Sequence, residues 1–221
     1  MCPLTILMTA TTMRIDSLKP SEHKKGRFLL TLEDGTLLRV TEDEMLRFGL
    51  RQGQELDDET LEAIQKSANA SGTKARAANM IASRPLSKKE LQKRLVQKGS
   101  DADDARSAVE WLEDLGAVND EAYAATLVSH YAARGYGAAR VREELHRRGV
   151  PRELWDAALE QMPESGDKLD ALIQKKTRGD LADPKERKRV CDALLRRGFS
   201  WSEVRAAMGR YIDTESEIPE E

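Results

Sequence analysis

Aromatic residues make up only 5% of this 221-residue chain against 34% charged residues, so little apolar material is available for one large core. The two cysteines, Cys2 and Cys191, are too few and too far apart in sequence to staple a fold. No apolar run approaches the ~20 residues that a bilayer-spanning helix needs, which excludes a membrane partner and makes the cytoplasm the expected location. Residues 1–10 are mildly apolar but lack the charged leading segment and the longer apolar stretch of a secretion signal, and Met1, Met8 and Met13 are all candidate starts. A phosphate-cradling G-x-x-x-x-G-K-[ST] segment, a dinucleotide fingerprint and Cys-His or Ser-His spacings are all missing. The three histidines, His23, His130 and His146, are isolated, and a surface role suits them better than a metal site. The chain therefore reads as a non-enzyme with no cofactor, no metal and no catalytic residues.

What the chain does have is repetition. The segments Lys89–Gly99 (KELQKRLVQKG), Ala139–Gly149 (ARVREELHRRG) and Lys188–Gly198 (KRVCDALLRRG) superpose with Leu91, Val141 and Val190 in one column and Leu95, Leu145 and Leu194 in another. Gly99, Gly149 and Gly198 form a third column. Aliphatic residues four apart share one face of a helix, and a glycine after the last basic residue suits a left-handed C-terminal cap. A second helical stretch follows each glycine, at 101–115, 151–161 and 200–211. A third precedes each basic helix, at 73–82, 119–133 and 165–176. Ser87 with Glu90, Asn119 or Asp120, and Asp183 with Pro184 are N-terminal capping signals, and Pro151 can open the helix carrying Leu154 and Trp155.

The first seventy residues differ in kind. The segments 12–18, 27–32 and 36–40 are short and rich in Thr, Ile, Leu and Val, and Glu33, Asp34 and Gly35 mark a hairpin turn. Residues 41–44 open a helix whose apolar side is Met45, Leu46 and Phe48. Helix resumes at 57–70, and the small polar stretch 67–72 reads as a hinge. The expected fold is mainly α: three tandem three-helix repeats forming an elongated curved solenoid, preceded by a small strand-rich α/β N-terminal module. The expected boundaries are a disordered extension at 1–12, the hairpin-plus-helix module at 13–70, repeats at 71–116, 117–162 and 163–212, and an acidic tail at 213–221.

Charge follows the repeats. The stretch 87–98 carries five basic side chains and one acidic, whereas 101–115 carries six acidic and one basic. If the repeats stack in register, the basic helices form a stripe suited to a long polyanionic partner. Its candidate contact residues are Lys88, Lys89, Lys93, Arg94 and Lys98 in the first repeat, Arg140, Arg142, Arg147 and Arg148 in the second, and Arg187, Lys188, Arg196 and Arg197 in the third. On any single helix such residues are more often a solvated face; three equivalent helices shift the balance. Trp111, Trp155 and Trp201 each lie in the last helix of a repeat, which favours packing over base stacking. Cys191 falls on the apolar side of its helix and reads as core. Gly135–Gly137 reads as a loop and cap before a helix, not as a phosphate loop.

The segments Leu86–Leu95 (LSKKELQKRL), Leu115–Tyr123 (LGAVNDEAY), Gly135–Leu145 (GYGAARVREEL) and Arg148–Pro151 (RGVP) resemble the RecX family of bacterial recombination regulators. The resemblance covers Met13 to Tyr211; residues 1–12 and the acidic 213–221 are extra to the pattern. It implies three tandem three-helix repeats in a monomer that lies in the groove of the RecA recombinase filament. It further implies inhibition of the filament's ATPase, strand-exchange and coprotease activities, with consequences for DNA repair and the SOS response. Some members also bind DNA. Two function classes therefore stand: a protein-binding regulator of the filament, and a sequence-independent binder of single- or double-stranded DNA that uses helix-turn-helix-like units. Basic residues crowd the C-terminal turns of the repeated helices, which fits sequence-independent or protein contact better than reading of base edges.

Overall fold

A computed structural model of the chain describes residues 12–211; the expected N-terminal extension, apart from Thr12, and the acidic tail lie outside the described residues. The N-terminal module is an antiparallel sheet of β1 (Met13–Pro20), β2 (Arg27–Leu32), β3 (Leu37–Thr41) and the short β4 (Glu55–Leu56), in the order β3-β2-β1-β4. The β2–β3 hairpin turns at Gly35, φ 87°, with the Thr36 amide donating to Asp34 Oδ1 at 2.8 Å. The sequence pattern missed β4, because two residues carry no period. Helix α1 (Glu42–Arg47) opens on a reciprocal capping box between Thr41 and Glu44. Its expected apolar side is only partly realised: Met45 and Phe48 pack on the sheet core, but Leu46 is 71% exposed. A helix this short buries one edge, and Glu44 takes the inward position.

Helix α2 (Asp58–Ser83) corrects the expected hinge. Residues 67–72 are helical, and their small polar side chains serve close packing. Ser67 Oγ donates to Glu44 Oε1 at 2.9 Å, and the Arg27 guanidinium donates to both Ser71 Oγ and Ser71 O. Ile64 and Ala68 in the first half of α2 close the sheet core with Ile15, Leu30, Val40 and Leu56. Thr73 and Ala77 in its second half are buried, and that half packs on α4 (Ala102–Asp114). The module and the first repeat thus share one helix.

Between α2 and α4 runs α3 (Lys88–Gln97). The second three-helix unit is α5 (Asp120–Ala133), α6 (Ala138–Arg147) and a 3-10 turn (Arg152–Leu154) continued by α7 (Trp155–Glu160). The third is α8 (Gly166–Lys176), α9 (Pro184–Leu195) and α10 (Trp201–Met208). Asn119 and Asp183 cap α5 and α9 as the sequence indicates, and Pro184 sits in the first turn of α9. The six aliphatic residues of the two repeat columns, Leu91, Val141, Val190, Leu95, Leu145 and Leu194, are all fully buried. The second and third units each enclose their own core, one around Tyr123, Leu127, Val141 and Leu145, the other around Leu169, Ile173, Val190 and Leu194. The described residues fall into two compact units: those up to Arg84 together with Leu91–Leu115, and Pro85–Glu90 together with those from Gly116 on.

Candidate partner-binding surface

The glycine column does more than end helices. Gly99, Gly149 and Gly198 have φ of 83°, 69° and 87°, the left-handed conformation that lets the chain reverse after the last helical turn. At Gly198 the chain lies directly against the start of α6. The Gly137 amide donates to Arg197 O at 2.9 Å, and the Ala139 amide donates to Gly198 O at 3.0 Å. The first amides of a helix and the last carbonyls of a helix lack partners of their own; here each set satisfies the other, and the positive end of one dipole meets the negative end of the next. A side chain on Gly137 would collide with the backbone of Gly198 and Phe199.

The same relation recurs one unit earlier with side chains in place of amides. Ser87, fully buried before α3, accepts from the Glu90 amide at 3.1 Å and donates to Arg148 O. The Lys88 amide donates to Asp120 Oδ1 at 2.9 Å, and the Lys89 side chain lies against Gly149. The end of α6 therefore abuts the start of α3 much as the end of α9 abuts the start of α6.

These joints take up several of the expected contact residues. Arg148 Nη1 donates to Tyr123 Oη at 3.1 Å and stands 3.8 Å from Glu90. Arg197, its counterpart in the third repeat, donates to Arg134 O and Gly135 O and lies over the Tyr136 ring. Arg140 and Arg147 pair with Glu144, whose side chain is only 3% exposed. Burial would raise the Glu144 carboxyl, but hydrogen bonds from Arg147 and Tyr131 and the charges of Arg147 and Arg140 hold it below its ordinary value. Arg187 is the clearest departure from a solvent-facing stripe: it is 5% exposed, donates to Ala182 O at 3.1 Å and belongs to the interior of the third unit. Lys88 and Arg94 are half-buried. Arg142 is exposed but lines a separate groove.

Lys89, Lys93 and Lys98 on or just beyond α3, and Lys188 and Arg196 on or just beyond α9, remain exposed, with no side-chain partner among the described residues. Exposed apolar side chains stand beside them, Val96 at 44% and Leu195 at 37%. The tryptophans pack: Trp155 Nε1 donates to Val150 O at 3.0 Å, Trp201 lies on the third core, and the Lys74 ammonium sits 5.4 Å from the Trp111 ring centre. Cys191 is buried at 4% exposure. His130 and His146 are exposed, the latter edge-on to Trp155. No group of three or more potential metal ligands occurs among the described residues, and no described helix is long and apolar enough to cross a membrane.

Helical units of one pattern, joined helix end to helix end, define a tandem three-helix-repeat protein. The model of the second three-helix domain of RecX matches residues 119–159, and that of the third matches residues 164–208. The regulatory protein RecX of Xanthomonas citri is 34% identical over 136 residues, which cover 60% of this chain and 83% of that protein. That of Streptococcus gordonii (strain Challis) is 27% identical over 199 residues, covering 89% of this chain and 77% of that one. A crystal structure of a regulatory protein RecX superposes with a TM-score of 0.69 at 20% identity over 88% of this chain and 98% of the other. RecX from Lactobacillus salivarius gives 0.60 at 20% identity, over 65% and 96%. The chain belongs to the RecX family of regulatory proteins.

Proposed function

We propose that this chain binds the RecA recombinase filament and lowers its ATPase, strand-exchange and coprotease activities, as a cytoplasmic monomer with no chemistry of its own. Family membership supplies the regulatory role. The observation that carries the finer reading is the set of unpartnered cations on or just beyond equivalent helices, Lys93 and Lys98 at the first and Lys188 and Arg196 at the third. A filament presents the same protomer surface repeatedly, so weak contacts from successive units reinforce one another through effective concentration. Charge contributes chiefly encounter rate and salt dependence.

The test is ATP hydrolysis by recombinase assembled on single-stranded DNA. Turnover should fall at well below one chain per recombinase protomer, with no hydrolysis by the chain alone. Unchanged turnover at saturating protein defeats the reading. Equal affinity for the filament and for bare single-stranded DNA at the same salt transfers it to direct nucleic-acid binding.

A further inference from the structure

We propose that the joint between the second and third three-helix units is a hinge: the third unit swings as one body about Pro163 and Glu164, and Arg197 is the latch that holds it closed. Two separate cores make this possible. Val141 and Leu145 belong to one and Val190 and Leu194 to the other, and no described helix of the second unit lies along a helix of the third. Units of a repeat array that share little packed surface open separately, because the coupling between them is small beside what each gains alone.

What crosses the joint is polar. The Gly137 and Ala139 amides donate to Arg197 O and Gly198 O, Lys168 Nζ donates to Ala132 O at 3.0 Å, and the Arg197 guanidinium donates to Arg134 O and Gly135 O. Leu172 lies against Gly135. Tyr136, Lys168, Leu172 and Arg197 are all only half-buried. Water can replace each of these hydrogen bonds as the joint parts, so opening it costs far less than opening a core. The joint at the start of α3 is built otherwise: there Ser87, Asp120 and Tyr123 make their hydrogen bonds from buried positions.

The covalent link supplies the swivel. Met162 packs on the second core, and Ser165 Oγ donates to Glu203 Oε1 of the third unit at 2.9 Å. Between these anchors stand only Pro163 and Glu164, both exposed. Proline fixes its own φ, so rotation falls on the ψ of Pro163 and the backbone of Glu164, and a few such residues between rigid bodies are the usual form of a hinge. Closure depends on the absence of a side chain at Gly137, where a Cβ would lie 2.2 Å from Gly198 O. The exposed cations Lys188 and Arg196 ride on the third unit. The hinge therefore governs where they stand relative to the second unit, whether the partner is a filament or bare DNA.

Amide hydrogen exchange of the full chain reads the hinge directly. If the joint opens while both units stay folded, the Gly137 and Ala139 amides should exchange about a hundredfold faster than those of Leu145 and Leu194 inside their helices. Equal protection at these positions means that the joint parts only when the units unfold, and overturns the hinge. Arg197→Ala should speed Gly137 and Ala139 by a further factor of about ten, whereas Arg196→Ala, at the exposed neighbour, should leave them unchanged. The same rates in both variants overturn Arg197 as the latch. Gly137→Ala should hold the joint open by crowding alone, since the φ of Gly137 is −83° and suits any residue. Spin labels on Glu121→Cys and Lys175→Cys, with Cys2→Ser and the buried Cys191 left in place, should give a narrow distance distribution in the otherwise unchanged chain. Adding Gly137→Ala should broaden it at unchanged helix content. A distribution equally narrow and centred at the same distance would show that something other than this joint fixes the units to each other, and the proposal fails.

Discussion

The guanidinium carbon of Arg197 lies 5.2 Å from the centre of the Tyr136 ring, and the same group donates to the carbonyls of Arg134 and Gly135, more than sixty residues away in sequence. Arg148 holds the equivalent position in the second repeat and is likewise spent on a joint, at Tyr123 and Glu90. A basic column that looks like a contact surface thus ties helix ends together in two repeats. Of the column only its first member, Lys98, is exposed; Arg148 and Arg197 are half-buried.

Arg197→Ala should therefore act on stability before it acts on binding. Loss of charged hydrogen bonds to two carbonyls and of the ring contact should cost about 1–2 kcal/mol, a fall of several degrees in Tm. Arg197→Lys should recover only part of this, since an ammonium lacks the planar fork. A melting temperature unchanged in both would mean that the joint contributes nothing.

Gly99 and Gly149 separate backbone strain from crowding. Both have positive φ, but a Cβ at Gly99 meets nothing within 4 Å, whereas one at Gly149 comes within 2.9 Å of Lys89 Cδ and 3.1 Å of Lys89 Cβ. Gly99→Val should cost the strain alone, about 1–2 kcal/mol, and Gly149→Val distinctly more. Denaturant midpoints checked in parallel decide it, and equal losses would show that Lys89 yields freely.

Glu144 should make stability acid-sensitive. Its folded-state carboxyl is held below the ordinary value, so the stability it contributes is present above that ordinary value and is lost as pH falls through the depressed folded-state one. Glu144→Gln should flatten the Tm–pH curve below the ordinary carboxylate range. It should also lower Tm at neutral pH, because Arg140 and Arg147 lose their shared partner. A variant curve parallel to the parent's below pH 5 would place the acid sensitivity elsewhere.

Charge reversal should divide the basic residues into two groups. Lys93→Glu with Lys98→Glu, or Lys188→Glu with Arg196→Glu, should weaken filament binding at constant Tm, with a loss that shrinks as salt rises. Arg140→Glu with Arg147→Glu should instead unfold the second unit, by surrounding a buried carboxylate with two more. Glu110→Lys with Asp114→Lys on α4 is the matched control. An equal loss of filament affinity in that control would mean that the free cations are only a solvated face.

The helical units were legible because their determinants are local. The fully buried columns Leu91, Val141, Val190 and Leu95, Leu145, Leu194 follow from a spacing of four, and the caps at Asn119 and Asp183 act within three residues. The hinge assigned to residues 67–72 failed because small polar residues also suit close packing, and their partners, Arg27 and Glu44, lie far back in the chain.

The sequence by itself determined the class of the fold and its punctuation: a strand-rich start, repeated amphipathic helices and three left-handed glycine ends. Each of these rests on interactions a few residues apart, where periodicity and backbone conformation are decisive. Only the tertiary structure decided which cations face solvent and which are spent within the chain. Ser87 meets Arg148 across 61 positions and Arg197 meets Arg134 across 63, and no local pattern encodes which side chain will be close enough to bond. The fate of a basic residue is set by what the fold brings beside it, since an arginine at a helix end finds a carbonyl, a buried carboxylate or water only after the neighbouring unit has docked.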